Sequence, residues 1–195
     1  NTSGSRILAF DTWQERWGNT DRVLTEEQNE SVAMQTFSGL DLTKRIVEGQ
    51  AGIDGMTAAK RCWNYQKGGF QWYLPCLMEL GVLCAYRDEI NKAMKEIGCP
   101  DECLLPTEDS DETWVWSSSE NSQYGSWFVY FSNGGFNNGN QYGSGMVRAV
   151  AAFQPSPSLL TGEAKSNDCL HSDEALINML RERGYKGELT KTLTI

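Results

Sequence analysis

Six thiols, one imidazole and a pair of carboxylates are the groups in this sequence best suited to covalent or metal chemistry. The thiols are Cys62, Cys76, Cys84, Cys99, Cys103 and Cys169, and the imidazole is His171. Ser-His-Asp or Cys-His catalysis needs a base oriented by its surroundings, and His171 stands alone in a polar segment. Cys99 and Cys103 flank Pro100-Asp101-Glu102, but zinc would need further Cys or His ligands at suitable spacing. Cys76 and Cys84 fall within one apolar helical stretch, where Cys serves as a small hydrophobe. The expectation is therefore buried free thiols, with no metal site and no required disulfide. Glu79 and Glu120 could act as general acids, yet each lies among apolar or aromatic neighbours, where a structural hydrogen-bonding role is simpler. The run Thr107 to Thr113, TEDSDET, offers oxygen ligands of the kind calcium takes, but it reads as a solvated loop. No phosphate loop and no dinucleotide fingerprint is present. These readings predict no enzyme and no cofactor.

Non-covalent recognition is better provided for. From Trp114 to Phe153 the chain reads WVWSSSENSQYGSWFVYFSNGGFNNGNQYGSGMVRAVAAF. Its ends are apolar, while its middle is Asn, Gly, Ser, Gln and aromatic residues. Tyr and Trp give rigid contact area with a polar tip, and Asn and Ser give adaptable hydrogen bonds. Strand alternation puts Trp127, Val129 and Phe131 on one face, with Phe128 and Tyr130 on the other. Ser132-Asn133-Gly134-Gly135 then reads as a tight turn. Asn137 to Gly145 has too little apolar content for a core and reads as an exposed loop. Tyr124, Phe128, Tyr130, Asn137, Asn138, Asn140, Tyr142 and Ser144 are accordingly expected on one exposed face, as a ligand-binding surface.

The elements that must position this face come from both sides of it in the chain. Arg6 to Phe10 predicts a short strand, and Leu40 to Val47 a short helix, with the polar stretch Asn19 to Ser31 as a loop between them. Asp54 is placed to cap a helix over Gly55 to Gln66, stopped by Gly68-Gly69. Phe70 to Leu74 predicts a short aromatic strand. Pro75 then stands at the first position of a helix lined by Leu77, Leu80 and Leu83. Asp88 is expected to cap a further helix with Ile90, Ala93, Met94 and Ile97 inward, closed by Gly98. Val147 to Phe153 reads as a buried closing strand. The expected frame is Trp72, Leu74, Trp116, Trp127, Val129 and Phe131, all buried. Gln154-Pro155-Ser156-Pro157-Ser158 reads as a linker, followed by a helix holding Leu176, Ile177 and Leu180 and a strand over Leu189 to Ile195. The domains expected are thus 6–153, the binding domain, and 154–195, a linker with a small appendage.

A chain of 195 residues can bury one good core. Its net charge of −9 disfavours nucleic acid and anionic membrane surfaces as partners. No apolar run is long enough to span a bilayer, so direct membrane insertion is not expected. The first residue is Asn1 rather than Met, which suggests that a leader or a preceding domain has been removed.

Several motifs resemble one family. Gly69-Phe70-Gln71-Trp72-Tyr73-Leu74-Pro75 with Glu79-Leu80 resembles the "W-x-L-P…E-L" signature of DUF1566-type domains of C-type-lectin fold. Trp116-Ser117-Ser118-Ser119-Glu120 resembles their "Y-W-S-S-T-E" signature, with Val115 where Tyr is usual. Phe131-Ser132-Asn133-Gly134 and Val147-Arg148-Ala149-Val150 resemble the family's later motifs, in the family's order. The Asn-rich middle is similar to the variable region of proteins diversified by retroelements in gut bacteria and their phages. Such variable regions usually lie at the extreme C-terminus, whereas here further chain follows. The resemblance implies an α+β, C-type-lectin-like fold: a small twisted antiparallel sheet flanked by helices, carrying a long irregular loop region. It implies a display protein that binds a protein or glycan ligand, on a phage tail or a bacterial cell surface, with its binding face within 117–145. An oligomer is compatible with this reading. The alternatives are a structural virion or adhesin domain and, behind it, a formylglycine-generating-type enzyme. The last looks to need a cysteine near the ligand cleft, and none lies between Trp114 and Phe153.

Overall fold

A computed structural model describes residues 5–18, 22–26, 28–108 and 113–153. The expected linker and helix–strand appendage over 154–195, with Cys169 and His171, lie outside the described residues, as do residues 109–112 of the acidic run.

Strand β1 (Ser5–Arg16) is longer than the apolar run 6–10 predicts. It continues because β6 (Ser144–Phe153) supplies a partner along almost all of it, from Ser5 opposite Phe153 to Arg16 opposite Ser144. Between Leu8 and Thr12 the register shifts, so that Ala9, Phe10 and Asp11 share the space opposite Ala149. Strands β3 (Trp114–Glu120), β4 (Gly125–Tyr130) and β5 (Phe136–Asn140) complete the order β1-β6-β3-β4-β5, and the short β2 (Trp72–Tyr73) pairs with β6. Pairing is antiparallel except at Val115 and Met146, where β3 meets β6 in parallel.

Among the described residues five α-helices flank this sheet: α1 (Glu30–Ala33), α2 (Gly39–Gly49), α3 (Ala58–Trp63), α4 (Leu77–Ala85) and α5 (Arg87–Glu96). Where they start differs from the sequence expectation, for local reasons. Gly55 takes a φ of +88°, outside the helical region, so α3 begins only after Thr57. Cys76 rather than a residue before Pro75 precedes α4, and the Glu79 carboxylate accepts from the Cys76 N–H at 3.1 Å. The Pro75 carbonyl is meanwhile committed to Ser118 N at 2.9 Å, which ties this chain entry to β3. Helix α5 follows α4 after Tyr86 alone, which leaves Asp88 in its first turn instead of at its cap. It stops at Gly98, φ +79°, with Cys99 N donating back to Met94 O, as a glycine-terminated helix does.

Both faces of the sheet are packed. Trp116, Phe128, Val147, Ala149 and Ala151 point to one side, against Ile46 of α2 and Ala58, Ala59 and Cys62 of α3. Val115, Trp127, Val129 and Phe131 point to the other, against Leu77 and Leu80 of α4 and Ala33 of α1. The expected frame residues Trp72, Leu74, Trp116, Trp127, Val129 and Phe131 are all buried, at most 6% exposed. The architecture is therefore mixed α+β, a six-stranded sheet between helices. Among the described residues, no helix is long and apolar enough to cross a membrane.

Two expectations are corrected here. Phe128 is not on an exposed face: it is 6% exposed, because the rings of Trp114, Trp116 and Tyr130 pack against it on its side of the sheet. Asn137 to Gly145 is not one loop: residues 137–140 belong to the edge strand β5, paired with β4 from Val129–Phe136 to Gly125–Asn140, and Ser144 and Gly145 open β6. Backbone pairing alone can hold such a strand, whatever its side chains.

Candidate ligand-binding end of the sheet

The β3–β4 connection is a tight hairpin. Asn121 N and Ser122 N both donate to Gly125 O, at 2.9 and 3.1 Å, and the Ser122 hydroxyl accepts from Gly125 N at 3.0 Å. That closure thrusts Tyr124 outward, 52% exposed. The β5–β6 connection is tighter still: Gly143 N donates to Asn140 O, and the Asn140 side-chain oxygen accepts from Tyr142 N, each at 2.9 Å. Tyr142 is likewise 52% exposed.

One buried residue joins these loops. Gln141, 1% exposed, donates its backbone N–H to Tyr124 O at 3.0 Å and accepts from Gly18 N at 3.1 Å. Its amide nitrogen donates to Ser126 Oγ at 3.1 Å and Ser122 O at 3.4 Å, and reaches Glu120 at 3.5 Å. Glu120 is itself fully buried, and its carboxylate accepts from Leu24 N, Thr25 N and the Thr25 hydroxyl, the last two at 2.6 Å. The Glu120 carbonyl accepts from Gln28 N at 2.9 Å. A buried carboxylate satisfied in this way is held and cannot move to a ligand without losing its partners. Gly18, the residues Leu24, Thr25 and Gln28, and the loops 121–126 and 140–143 are thereby clasped at one end of the sheet.

The eight residues expected on one face divide. Tyr124, Asn140 and Tyr142 come together on the two clasped loops, with Ser144 exposed immediately after them. Asn138 and Asn137 are exposed on β5 but point to opposite faces, since Asn138 pairs with Trp127 and Asn137 with Phe128. Tyr130 lies at the other end of β4, about 17 Å from Gly125 at strand rise. It is half-buried and packs edge-on to Phe128 at 5.1 Å. The shared face is thus corrected to a cluster of Tyr124, Asn140, Tyr142 and Ser144, with Asn138 beside it. Near Tyr130's end, a separate hollow of about 310 Å³ is lined by Cys84, Arg87, Ser132 and Gly134 among others. Arg87 is committed there to the carbonyls of Phe131 and Ser132.

Sequence reasoning missed Gln141, Leu24 and Thr25. The only signal for Gln141 was its being a longer amide inside a run of Asn and Gly. For Glu79 and Glu120 the structural reading fits the geometry: Glu79 accepts from Arg6, Tyr73 and Cys76. Burial, and after it the same carboxylate, push the Tyr73 phenol up. Burial raises the Cys62 and Cys76 thiols as well, so neither is primed as a nucleophile. Among the described residues no three His, Cys, Asp or Glu side chains converge as metal ligands would.

No protein-family model and no curated protein matches this chain. Among solved structures it is similar to a fimbrial protein from Bacteroides ovatus ATCC 8483, with a TM-score of 0.55 at 13% identity. The alignment covers 76% of this chain but 35% of that one, so the chain spans only about a third of that protein's length. At this identity the likeness defines the class of fold.

Proposed function

We propose that this chain is a non-enzymatic binding module of adhesin-like type, displayed at a cell surface or on a phage particle, and that the loops carrying Tyr124, Asn140, Tyr142 and Ser144 meet its ligand. One observation carries the reading: two half-exposed tyrosines stand on separate loops that a single buried node, Gln141 with Glu120, holds in place. Rigid loops bearing aromatic anchors and amide groups need little further ordering on binding, which is what affinity at a small surface requires. The fimbrial protein of similar fold supports a surface setting, and the motif resemblance supports a C-type-lectin-like, DUF1566-type module with a retroelement-diversified segment. In that finer reading the ligand is a protein or a glycan, and β5 and its flanking loops are where diversity would fall.

A glycan and protein array probed with the wild-type chain and with Tyr124→Ala and Tyr142→Ala tests the proposal. A ligand whose signal drops in both variants, at unchanged melting temperature, is the expected result. A ligand bound equally by all three would remove the loop end as the site. Concentration-dependent self-assembly with no array ligand would instead favour the structural-subunit reading, to which the fimbrial likeness also lends support.

A further inference from the structure

Between Thr113 and Phe153 the chain holds two side chains charged at neutral pH, Glu120 and Arg148, and both are buried, at 0% and 1% exposed. The whole chain has 26 acidic and 17 basic residues, so this segment stands apart: it supplies both tyrosine-bearing loops and no surface charge. A face of that kind gives a charged ligand no counter-charge of its own. Charged neighbours on β1 and beyond it are engaged elsewhere. Arg16, opposite Ser144, donates to Asp54 O at 2.6 Å; Glu15, opposite Gly145, holds Arg61; and Arg22 donates to Gly49 O at 3.0 Å.

What this end of the sheet offers instead is neutral hydrogen-bonding groups. Gly125 is buried because side chains close over it: a Cβ there would meet Ser122 Oγ at 3.2 Å, Asn121 Oδ1 at 3.5 Å and Asn138 Oδ1 at 3.6 Å. Those three side chains therefore converge on one point, next to Tyr124. Asn140 pairs with Gly125 and leaves β5 on the same side as Asn138. Ser122 Oγ accepts from Gly125 N at 3.0 Å and Tyr124 N at 3.3 Å, which fixes the hydroxyl and leaves its proton to donate. Among the described residues the side-chain amides of Asn121 and Asn138 have no hydrogen-bond partner. Each keeps a carbonyl and two N–H groups for a ligand.

We propose that this end of the sheet binds a neutral oligosaccharide, hydrogen-bonded directly by Asn121, Ser122 and Asn138, with Tyr124 and Tyr142 against the faces of its sugar rings. The inference rests on the loop end being the ligand site and names the ligand class that site takes. A sugar hydroxyl both donates and accepts, so it pairs with an amide whose carbonyl and N–H groups are equally available. A carboxylate or sulfate only accepts, and it would set negative charge against two amide carbonyls with no cation in the segment to offset it. A protein partner needs an apolar centre from which water is excluded, whereas here the centre is amide and hydroxyl and the tyrosines stand at its sides. The C–H face of a pyranose ring is flat and apolar, which suits a tyrosine ring with a polar tip. Recognition is direct rather than bridged by calcium: Glu120, the one carboxylate in 113–153, is committed to Leu24 and Thr25.

The test applies the full chain to an array of neutral oligosaccharides of glucose, galactose, mannose and N-acetylglucosamine, set beside sulfated, sialylated and uronic-acid-containing glycans and purified proteins. The strongest ligand is then titrated by calorimetry against the wild type, Tyr124→Ala, Asn121→Leu and Asn138→Leu, with and without EDTA. Leucine keeps the shape of the amide and removes its hydrogen bonds; Asn121→Asp and Asn138→Asp, which lack the N–H donors, serve as second variants should a leucine variant melt early. The expected result is a neutral oligosaccharide bound equally in EDTA, with affinity lowered about tenfold by either asparagine substitution at unchanged melting temperature. An acidic glycan or a protein as the strongest ligand, lost in Tyr124→Ala, overturns the ligand class and leaves the loop end as the site. A neutral glycan bound equally by the wild type and all variants overturns the site and this inference with it. Full affinity in the asparagine variants with loss only in Tyr124→Ala, loss of binding in EDTA, or no glycan signal at all also overturns the proposal.

Discussion

Tyr124 and Tyr142 carry the binding reading because each is exposed while its backbone is hydrogen-bonded in place. Substitution by Ala should change stability by no more than about 0.5 kcal/mol. It should weaken ligand binding by about 1–2 kcal/mol, read by titration against whichever array ligand is found. Gln141→Ala is the contrasting case. It removes an amide that holds Ser126 and Ser122 and faces Glu120, leaving the buried Ser126 and Glu120 with fewer partners. A loss of about 1–3 kcal/mol in urea unfolding is expected. Phe128, although it alternates with the core-facing side of β4, should behave as core: Phe128→Ala should cost about 3–5 kcal/mol.

At the scale of elements, glycines report how closely the strands and helices approach one another. A Cβ on Gly145, at the start of β6, would lie 2.0 Å from the Trp114 ring, which itself packs on Trp116 and Phe128. The ring belongs to a packed aromatic group and has little room to move, so Gly145→Ala should destabilise by about 1–3 kcal/mol. Gly81, in the middle of α4, has nothing within 4 Å of its Cβ position. Gly81→Ala should therefore stabilise the chain, by up to about 1 kcal/mol, through helix propensity alone. Paired thermal melts of the two variants check both signs, and a stable Gly145→Ala protein would mean that β6 and β3 do not meet as described.

The whole molecule carries a pH signature. An ordinary thiol titrates at 9.0, but burial holds the Cys76 thiol up to about 12 and raises Cys62 and the Tyr73 phenol too. In the unfolded chain these groups lose protons first, so above about pH 9 the folded state binds more protons than the unfolded one. Stability from these groups is complete below that pH and is lost as pH rises through the folded values. Arg148, whose pKa is pushed down to about 10, acts in the opposite sense only above that pH. The urea midpoint should therefore fall steadily from about pH 8 to about pH 10, a window that unfolding curves at fixed ionic strength can read.

Much of this protein was legible in its residues. Period-two alternation marked Trp127, Val129 and Phe131 as one face of a strand, and the 3.6-residue spacing of Leu77 and Leu80 marked a helix. Both signals are local, because they depend only on which side of an element each side chain leaves. Gly98 ended its helix for an equally local reason, its access to positive φ. What covers the second face of β4 was not local: Phe128 reads the same in sequence whether solvent or the rings of Trp114 and Trp116 lie against it, and only packing buried it. The strand β5 was likewise decided by backbone pairing with β4, which its Asn and Gly side chains do not announce. The clasp of Gln141 with Glu120 joins residues 21 positions apart, and Arg148 donates to the Cys103 carbonyl 45 positions away. Separations of that kind are closed by the cooperative folding of the sheet, so the tertiary structure alone determined which polar groups became neighbours.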